Sequence, residues 1–568
     1  RRATFVSRRA GRNADLACPM LYTMRSLHAL STVALVAPLA AQWNLPSVNT
    51  AVRAGAGIEC AVPLATAGPE SSTYISWFET VGGQYVLRMQ RLDVNGVALW
   101  DPAGLVVSDE PQNSALFRYD LFTDAAGHAV VAFQDERTGT LDVAAARISP
   151  DGAPQWGIDG LHLPTDGATG LAPAIGALTD GRIVFAWTTD RSPSTVAWRV
   201  LSPDGTPDAL GTQELTSTGN LGRPRLIATS DGGFWLQYVE QTGNFLSPGT
   251  LKAVRFGADL TGAAPVTVCT STISGFYFPQ PVPDGHDGFY VAINTGNVGN
   301  ASLTDVHVTR LRADGSAWSA AGSPVEVGTS TQRYTMTATP ALVSDDSGVM
   351  MAYRRTNPNQ DQGGIAVQRF DTAGTRLLGV QGVEVLPLSA ALPGPFANAA
   401  VPGGIVCAQM QGGFGAYTLS AYRLGLDGAV LDPPAEIAVC TVSSGKDDPT
   451  LVPFRNAQAV AVWMDERVGA GIYAQNIEVS TISQVPDAAT GVLRLLGGAH
   501  PALQFASAIP AATLRIINAE GRTVHAQRMA AQAAGSLLSL PDHGLAPGAY
   551  MVMLEAEGLR AAARWMVE

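Results

Sequence analysis

"FQDERTGTLDVAAARISPDGAPQW" runs from Phe133 to Trp156, and "WMDERVGAGIYAQNI" runs from Trp463 to Ile477. Each has an aromatic residue, an acidic pair, Arg, Gly and then a short apolar run. Such a likeness is either a duplicated site or a unit of construction, and the rest of the chain decides between them. One column of strand-ending positions reads Trp77, Phe133, Trp187, Tyr238, Ile293, Tyr353, Gln409 and Trp463. Its ends are 386 residues apart over seven intervals, a mean period of about 55. A second column lies 12 to 17 residues further along each repeat: Arg91, Arg147, Arg199, Arg255, Arg310, Arg369 and Arg423, with Asn476 in the eighth. An apolar residue follows each, and then a Gly turn such as "DVNG", "SPDG", "RADG", "DTAG" or "GLDG".

A unit of this length has room for about four short strands. "GRIVFAW" (Gly181–Trp187) is almost continuously apolar and is read as an inner strand with both faces covered. The segment ending at each Arg is read as lying further out, and Asp-Gly and Asn-Gly join strands tightly. Four-stranded units repeated radially make a β-propeller. The expected fold is therefore all-β: an eight-bladed propeller, or seven-bladed if one unit is degenerate, over residues 42–482. Trp43 precedes Trp77 by 34 residues and Trp156 precedes Trp187 by 31, so the start of this region reads as the tail of a repeat. The eighth repeat lacks that tail, and residues near 43–55 are expected to supply it and close the ring.

Composition narrows the function. Charged residues are only 15% of the chain and the net charge is −12, spread along the chain without an acidic tail, which argues against a nucleic-acid partner. Residues 1–23 have no pattern that folds and are read as a non-translated or disordered extension. Met24 opens a basic start, an apolar core over Leu27–Val36 and small residues at Ala40 and Ala41, the three parts of a signal peptide with cleavage after Ala41. That core is too short for a permanent anchor, and no other run is apolar enough to cross a membrane. Cys60, Cys269, Cys407 and Cys440 remain after cleavage and allow three pairings. Cys269 and Cys440 occupy equivalent places three repeats apart, which makes that pair unsuitable for a bridge.

After Ile477 the register stops. Residues 483–491 read as a linker and 492–568 as a separate small β-sandwich. "LRIINAEGRTV" (Leu514–Val524), "GLAPGAYMVMLE" (Gly544–Glu555) and "ARWMV" carry a Gly-Arg turn, a Leu-x-x-Gly-x-Tyr turn and a terminal strand. This tail resembles the type A sorting domain of the type IX secretion system of Bacteroidetes-type bacteria. The matching residues are Gly521, Arg522, Leu545, Gly548 and Tyr550. The resemblance implies export across the inner and outer membranes, with the outer-membrane secretion machinery as partner and the cell surface or medium as destination.

No zinc spacing, hydrolase elbow, phosphate loop or linear calcium loop is present, so neither metal nor cofactor is expected and no catalytic residue is assigned. "SPDGAPQW" (Ser149–Trp156) resembles the Asp-box of sialidase-like propellers with one spacer missing. "DVNGVALW" (Asp93–Trp100) resembles part of the tryptophan-docking repeat of quinoprotein dehydrogenases. Both motifs are structural turns in their own families. The candidate ligand-binding residues are the charged corners and their aromatics: Trp77 and Glu79; Asp135 and Arg137; Trp187, Asp190 and Arg191; Trp463, Asp465 and Arg467. As a site they would hold an extracellular glycan or protein ligand, with the tryptophans as stacking surfaces. As architecture, Asp and Gly make the turn, Arg pairs with the acid and the aromatic fills the space between blades; recurrence in the unit favours this second role. The longer insertions "EQTGNFLSPGT" and "RRTNPNQDQGG" are the expected contact surfaces. The leading reading is a secreted or surface-displayed binding module. The rival is a secreted glycan-active hydrolase or lyase with carboxylates in the funnel.

Overall fold

The computed structural model describes residues 43–479 and 493–567, interrupted by shorter stretches, the longer being 111–118, 274–278, 335–340, 343–347, 432–435, 497–501, 519–522 and 541–544. Residues 1–42, with Ala41, and the linker at 483–491 lie outside the described residues, as do Gly521 and Arg522. The described chain is strand throughout, apart from a 3-10 turn at Pro69–Ser71.

Eight antiparallel sheets follow one another along residues 50–478. The first is Cys60–Ala67, Thr73–Val81, Gln84–Leu92 and Leu105–Ser108, hydrogen-bonded in chain order, and the next six repeat that order. In the sixth blade the first strand is in two pieces, Gln332–Tyr334 and Ala341–Leu342. The first strands of successive blades pack on one another right round the ring, and that of blade 8, Lys446–Arg455, packs on Cys60–Ala67 of blade 1. This closed circuit makes the architecture a β-propeller. The eighth blade borrows its outermost strand: Thr50–Arg53 pairs antiparallel with Gly471–Glu478, Thr50 opposite Ala474. The ring is closed by the segment expected to close it.

The strands bearing the aromatic column are the second of each blade, an inner position. Thr73–Val81, Ile183–Thr189 and Gln458–Asp465 have a strand on either side and a blade over each face, and hence the most continuous apolar sequence. The innermost strands have one free edge along the channel and a weaker pattern. Four of them carry a bulge at the same point, at Val62, Ala172, Arg223 and Asp448, where φ is between 49° and 58°. A proline follows each: Pro63, Pro173, Pro224 and Pro449. Proline has no N–H to give a ladder, which the channel edge does not require.

The seams between blades explain the two Trp-containing turns. Four indoles lie on a turn glycine of the next blade and donate to a turn carbonyl. Trp43 Nε1 reaches Val94 O (2.9 Å), Trp100 Nε1 Pro150 O (3.1 Å), Trp156 Nε1 Pro203 O (3.1 Å) and Trp318 Nε1 Thr372 O (2.8 Å). The Arg column converges on the same turns, with Arg91 Nη1 on Pro150 O (3.0 Å) and Arg310 Nη1 on Thr372 O (3.3 Å). Within their own blades Arg147, Arg255 and Arg310 pair with Asp124, Asp231 and Asp284. The glycines are required: Gly96 has φ +81° and a Cβ there would meet the Trp43 ring at 2.7 Å. Gly96→Ala is expected to cost about 2–3 kcal/mol, combining left-handed strain with the lost stack. Gly139→Ala, at φ +79° with open space around it, should cost only the strain, about 1–2 kcal/mol. Urea unfolding midpoints of the two variants test the difference.

The tail has two sheets. One contains Leu493–Leu496, Ala502–Phe505 and Leu537–Ser539, and the other Thr523–Met529, Ala512–Asn518, Gly548–Ala556 and Leu559–Val567. Leu503, Phe505, Leu514, Ile516, Val552 and Leu554 form the sandwich core, with Tyr550 buried among them and Leu545 packed against it; Gly548 opens a strand. The four described cysteines are unbridged.

Candidate functional site

The charged corners lie at the ends of the second strands, opposite the beginnings of the innermost ones: Glu79 faces Cys60 and Asp465 faces Lys446 in the ladders. This is called the upper face below. The predicted residues belong to blades 8, 1, 2 and 3, which are consecutive in the ring. Each corner acid has partners of its own.

Glu79 is held by Arg53, through Nε at 2.8 Å and Nη2 at 2.7 Å, and by Arg88 Nε at 3.0 Å. Arg53 comes from the borrowed strand of blade 8, so this pair also crosses the closure. Asp135 is held by Arg137 in the same turn, at 2.7 and 2.6 Å, and Arg137 also donates to Asp159 O. Asp190 and Arg191 diverge: Asp190 accepts from Thr169 N at 2.8 Å while Arg191 pairs with Glu214 at 2.9 Å. Asp465 is fully buried with Lys446 Nζ at 2.9 Å, Arg467 Nη2 at 2.6 Å, Ser444 Oγ at 2.7 Å and Trp463 Nε1 at 2.9 Å.

Sequence reading missed other members of the same series. Glu240 pairs with Lys252, Asp305 with Arg333, and Glu326 with Arg355. Some of these acids sit on a different strand: Glu214 is on the outermost strand of blade 3, and Glu326 lies between blades 5 and 6, whereas Glu240 follows Tyr238 on the second strand but without an Arg beside it. The three tryptophans expected as stacking surfaces have no exposed area: Trp77, Trp187 and Trp463 are each 0% accessible. They fill the space between blades, and no ring face is left for a ligand.

The pairing shifts the acids in a consistent direction. Burial alone would raise Asp465, but its hydrogen bonds from Arg467, Trp463, Ser444 and Lys446 hold it far below the usual carboxylate range. Burial also opposes the lowering of Glu79 and Asp305, and Arg53, Arg88, His307 and Arg333 overcome it. Carboxylates depressed in the folded state contribute stability above their unfolded pKa of about 4, and it is lost as pH falls through the folded values. The expected result is a midpoint for urea unfolding that these acids leave flat from pH 5 to 8 and that falls steeply below about pH 4. A midpoint unchanged at pH 2.5 would contradict this account of the corners.

Asp120, on the innermost strand of blade 2, accepts from its neighbour Leu121 N (3.0 Å) and from Ile175 N of blade 3 (2.9 Å). Burial raises its pKa, against the charge of Arg225 and these two N–H groups. Arg225 Nε in turn donates to Gln280 Oε1 at 2.7 Å, linking blades 4 and 5. Sequence contained a signal for this level of the innermost strands. A proline stands 14 residues before the column residue in six repeats: Pro63, Pro173, Pro224, Pro279, Pro395 and Pro449. No group of three or more metal-ligating side chains occurs among the described residues, and no described helix is long and apolar enough to cross a membrane.

No protein-family model and no curated protein matches the chain. Among solved structures it is similar to a PL25 polysaccharide lyase, an ulvan lyase bound to -[GlcA(1-4)Rha3S]-, at 11% identity over 76% of this chain and 95% of the other, with a TM-score of 0.39. A puromycin-hydrolyzing peptidase of Mycobacterium tuberculosis is 14% identical over 75% of this chain and 60% of its own, TM-score 0.39. The GH93 α-L-arabinofuranosidase of Fusarium graminearum is 10% identical over 56% and 96%, TM-score 0.33. The likeness is one of fold, and it assigns no reaction.

Proposed function

We propose that the propeller is a secreted or surface-displayed binding module that takes an extracellular glycan or protein ligand on its upper face. One observation carries this reading. Glu79, Asp135 and Asp465 are held by cations of the ring itself, so these three carboxylates offer no acid and base free to act together. A catalytic pair needs two groups free to exchange protons at one reacting centre. Export through the type IX machinery rests on the pattern at residues 24–41 and on the tail motif. Packing of Leu545 and Tyr550 in the tail core agrees with the motif having a structural role there.

A second reading, a glycan-active hydrolase or lyase, is favoured by Asp120. It is a carboxyl on an innermost strand whose pKa burial raises, with no ion pair among the described residues, a setting that suits a general acid. A polysaccharide panel assayed for both binding and new reducing or unsaturated ends separates the two. Binding without turnover is expected. Turnover that Asp120→Asn abolishes while binding survives would establish the enzymatic reading instead.

A further inference from the structure

An open cleft of about 420 Å³ lies where blade 1 meets blade 8. One wall is the link Ala54–Glu59, which leads from the borrowed strand to the innermost strand of blade 1. The other is the turn Glu466–Ala470 of blade 8. Both are pinned by main chain: Cys60 N donates to Ala470 O (2.6 Å), Thr80 N to Glu59 O (2.8 Å) and Glu466 N to Gly445 O (2.8 Å). The cleft is lined by Ile58, Glu59, Thr80, Tyr85 and Glu466, and by the buried Cys60. Tyr85 leans on Phe78 at 5.6 Å, which fixes its ring against the cleft.

We propose that this cleft is a subsite for a neutral sugar residue. It is independent of Asp120 and rests on the glycan form of the binding reading. Glu59 and Glu466 are exposed and have no ion-pair or side-chain hydrogen-bond partner among the described residues, unlike the acids next to them in sequence or ladder. The hydroxyls of Thr80 and Tyr85 have none either. Two acceptor-only carboxylates, two hydroxyls and an aromatic ring match the hydroxyl donors and C–H face of a pyranose. Charge decides against the alternatives. In the two corners Arg53, Arg88, Lys446 and Arg467 balance Glu59, Glu79, Asp465 and Glu466, four against four. With the charges balanced there is no surplus of either sign to draw a cation or a uronate, which leaves a neutral ligand. The volume falls within the roughly 300–1,000 Å³ of small-ligand sites.

The test uses the full chain with glucose, galactose, mannose and xylose, and with glucosamine and glucuronate as charged arms, followed by saturation-transfer NMR and calorimetry. At least one neutral sugar is expected to bind with a dissociation constant in the millimolar range. The Glu59→Gln, Glu466→Gln double variant should weaken it at least tenfold without moving the melting temperature, since both side chains are exposed. Tyr85→Phe, which keeps the ring, should weaken it less. Binding only of glucosamine, only of glucuronate, or of a neutral sugar unaffected by the double variant would overturn the proposal. Polysaccharide binding that survives the double variant would remove this subsite and leave the binding role of the propeller standing. Binding of neither monosaccharides nor polysaccharides would remove both this subsite and the glycan form of the binding reading.

Discussion

A chain that begins at Ala54 is expected to lose its cooperative unfolding transition. Deletion of residues 43–53 takes away more than four residues of ladder. Asn49 Nδ2 donates to Val439 O (2.7 Å) and Gln475 Oε1 (2.9 Å), and Thr441 N donates to Pro46 O (3.0 Å). Arg467 reaches Val48 O and Asn49 Oδ1 at 3.1 and 3.0 Å. Trp43 leaves the blade 1 turn, and Glu79 loses Arg53, the better placed of its two cations. Each hydrogen bond contributes about 1 kcal/mol and the broken ion pair several more. The total is comparable to the roughly 5–15 kcal/mol that keeps a domain folded. A synthetic peptide covering residues 42–56 should restore the transition by adding the missing edge strand. An unchanged urea midpoint for the truncated chain would show that closure contributes little.

The second large effect is expected at Asp465. Its side chain and that of Lys446 are both fully buried. Asp465→Ala leaves the Lys446 ammonium without its carboxylate, and removing one member of a buried pair costs about 3–5 kcal/mol. Asp465→Ala with Lys446→Met should recover part of the loss, because the stranded charge is gone. The control is Asp231→Ala. Arg255 holds Asp231 down to a pKa of about 2, yet Asp231 is more than half exposed, so solvent screening leaves less than about 1 kcal/mol. Equal losses at both positions would mean that burial does not set the strength of these pairs. The measurement is the shift in urea midpoint at pH 7.

What the sequence made legible was set by how many neighbours a strand has. Second strands such as Ile183–Thr189 are covered on all sides, so their apolar run is long and their Trp column stands out. The Arg column was legible because most of its members meet a turn or an acid in every blade where they are described. The innermost strands were not, since a bulge at Val62 or Ala172 breaks the alternation and a proline follows. The acid of the corners was read where it stands two or three places after an aromatic of the column and next to an Arg or second acid, as in Asp135, Asp190 and Asp465, and in Glu79; Glu240, two places after Tyr238 with no Arg beside it, was missed. Blade 3 uses Glu214 from another strand for the same purpose, and no local pattern reveals that. The roles of Trp77, Trp187 and Trp463 depended on which side of the strand they face, which spacing alone left open.

The composite eighth blade has a consequence for how such a chain changes over generations. The borrowed strand precedes the first blade and the other three strands of its sheet follow the seventh, so everything between them is a run of repeated units. Unequal crossing-over between two repeats would add or remove one whole blade and leave both halves of the clasp in place. A ring closed this way can change its number of blades by recombination in one step, with its seal already made.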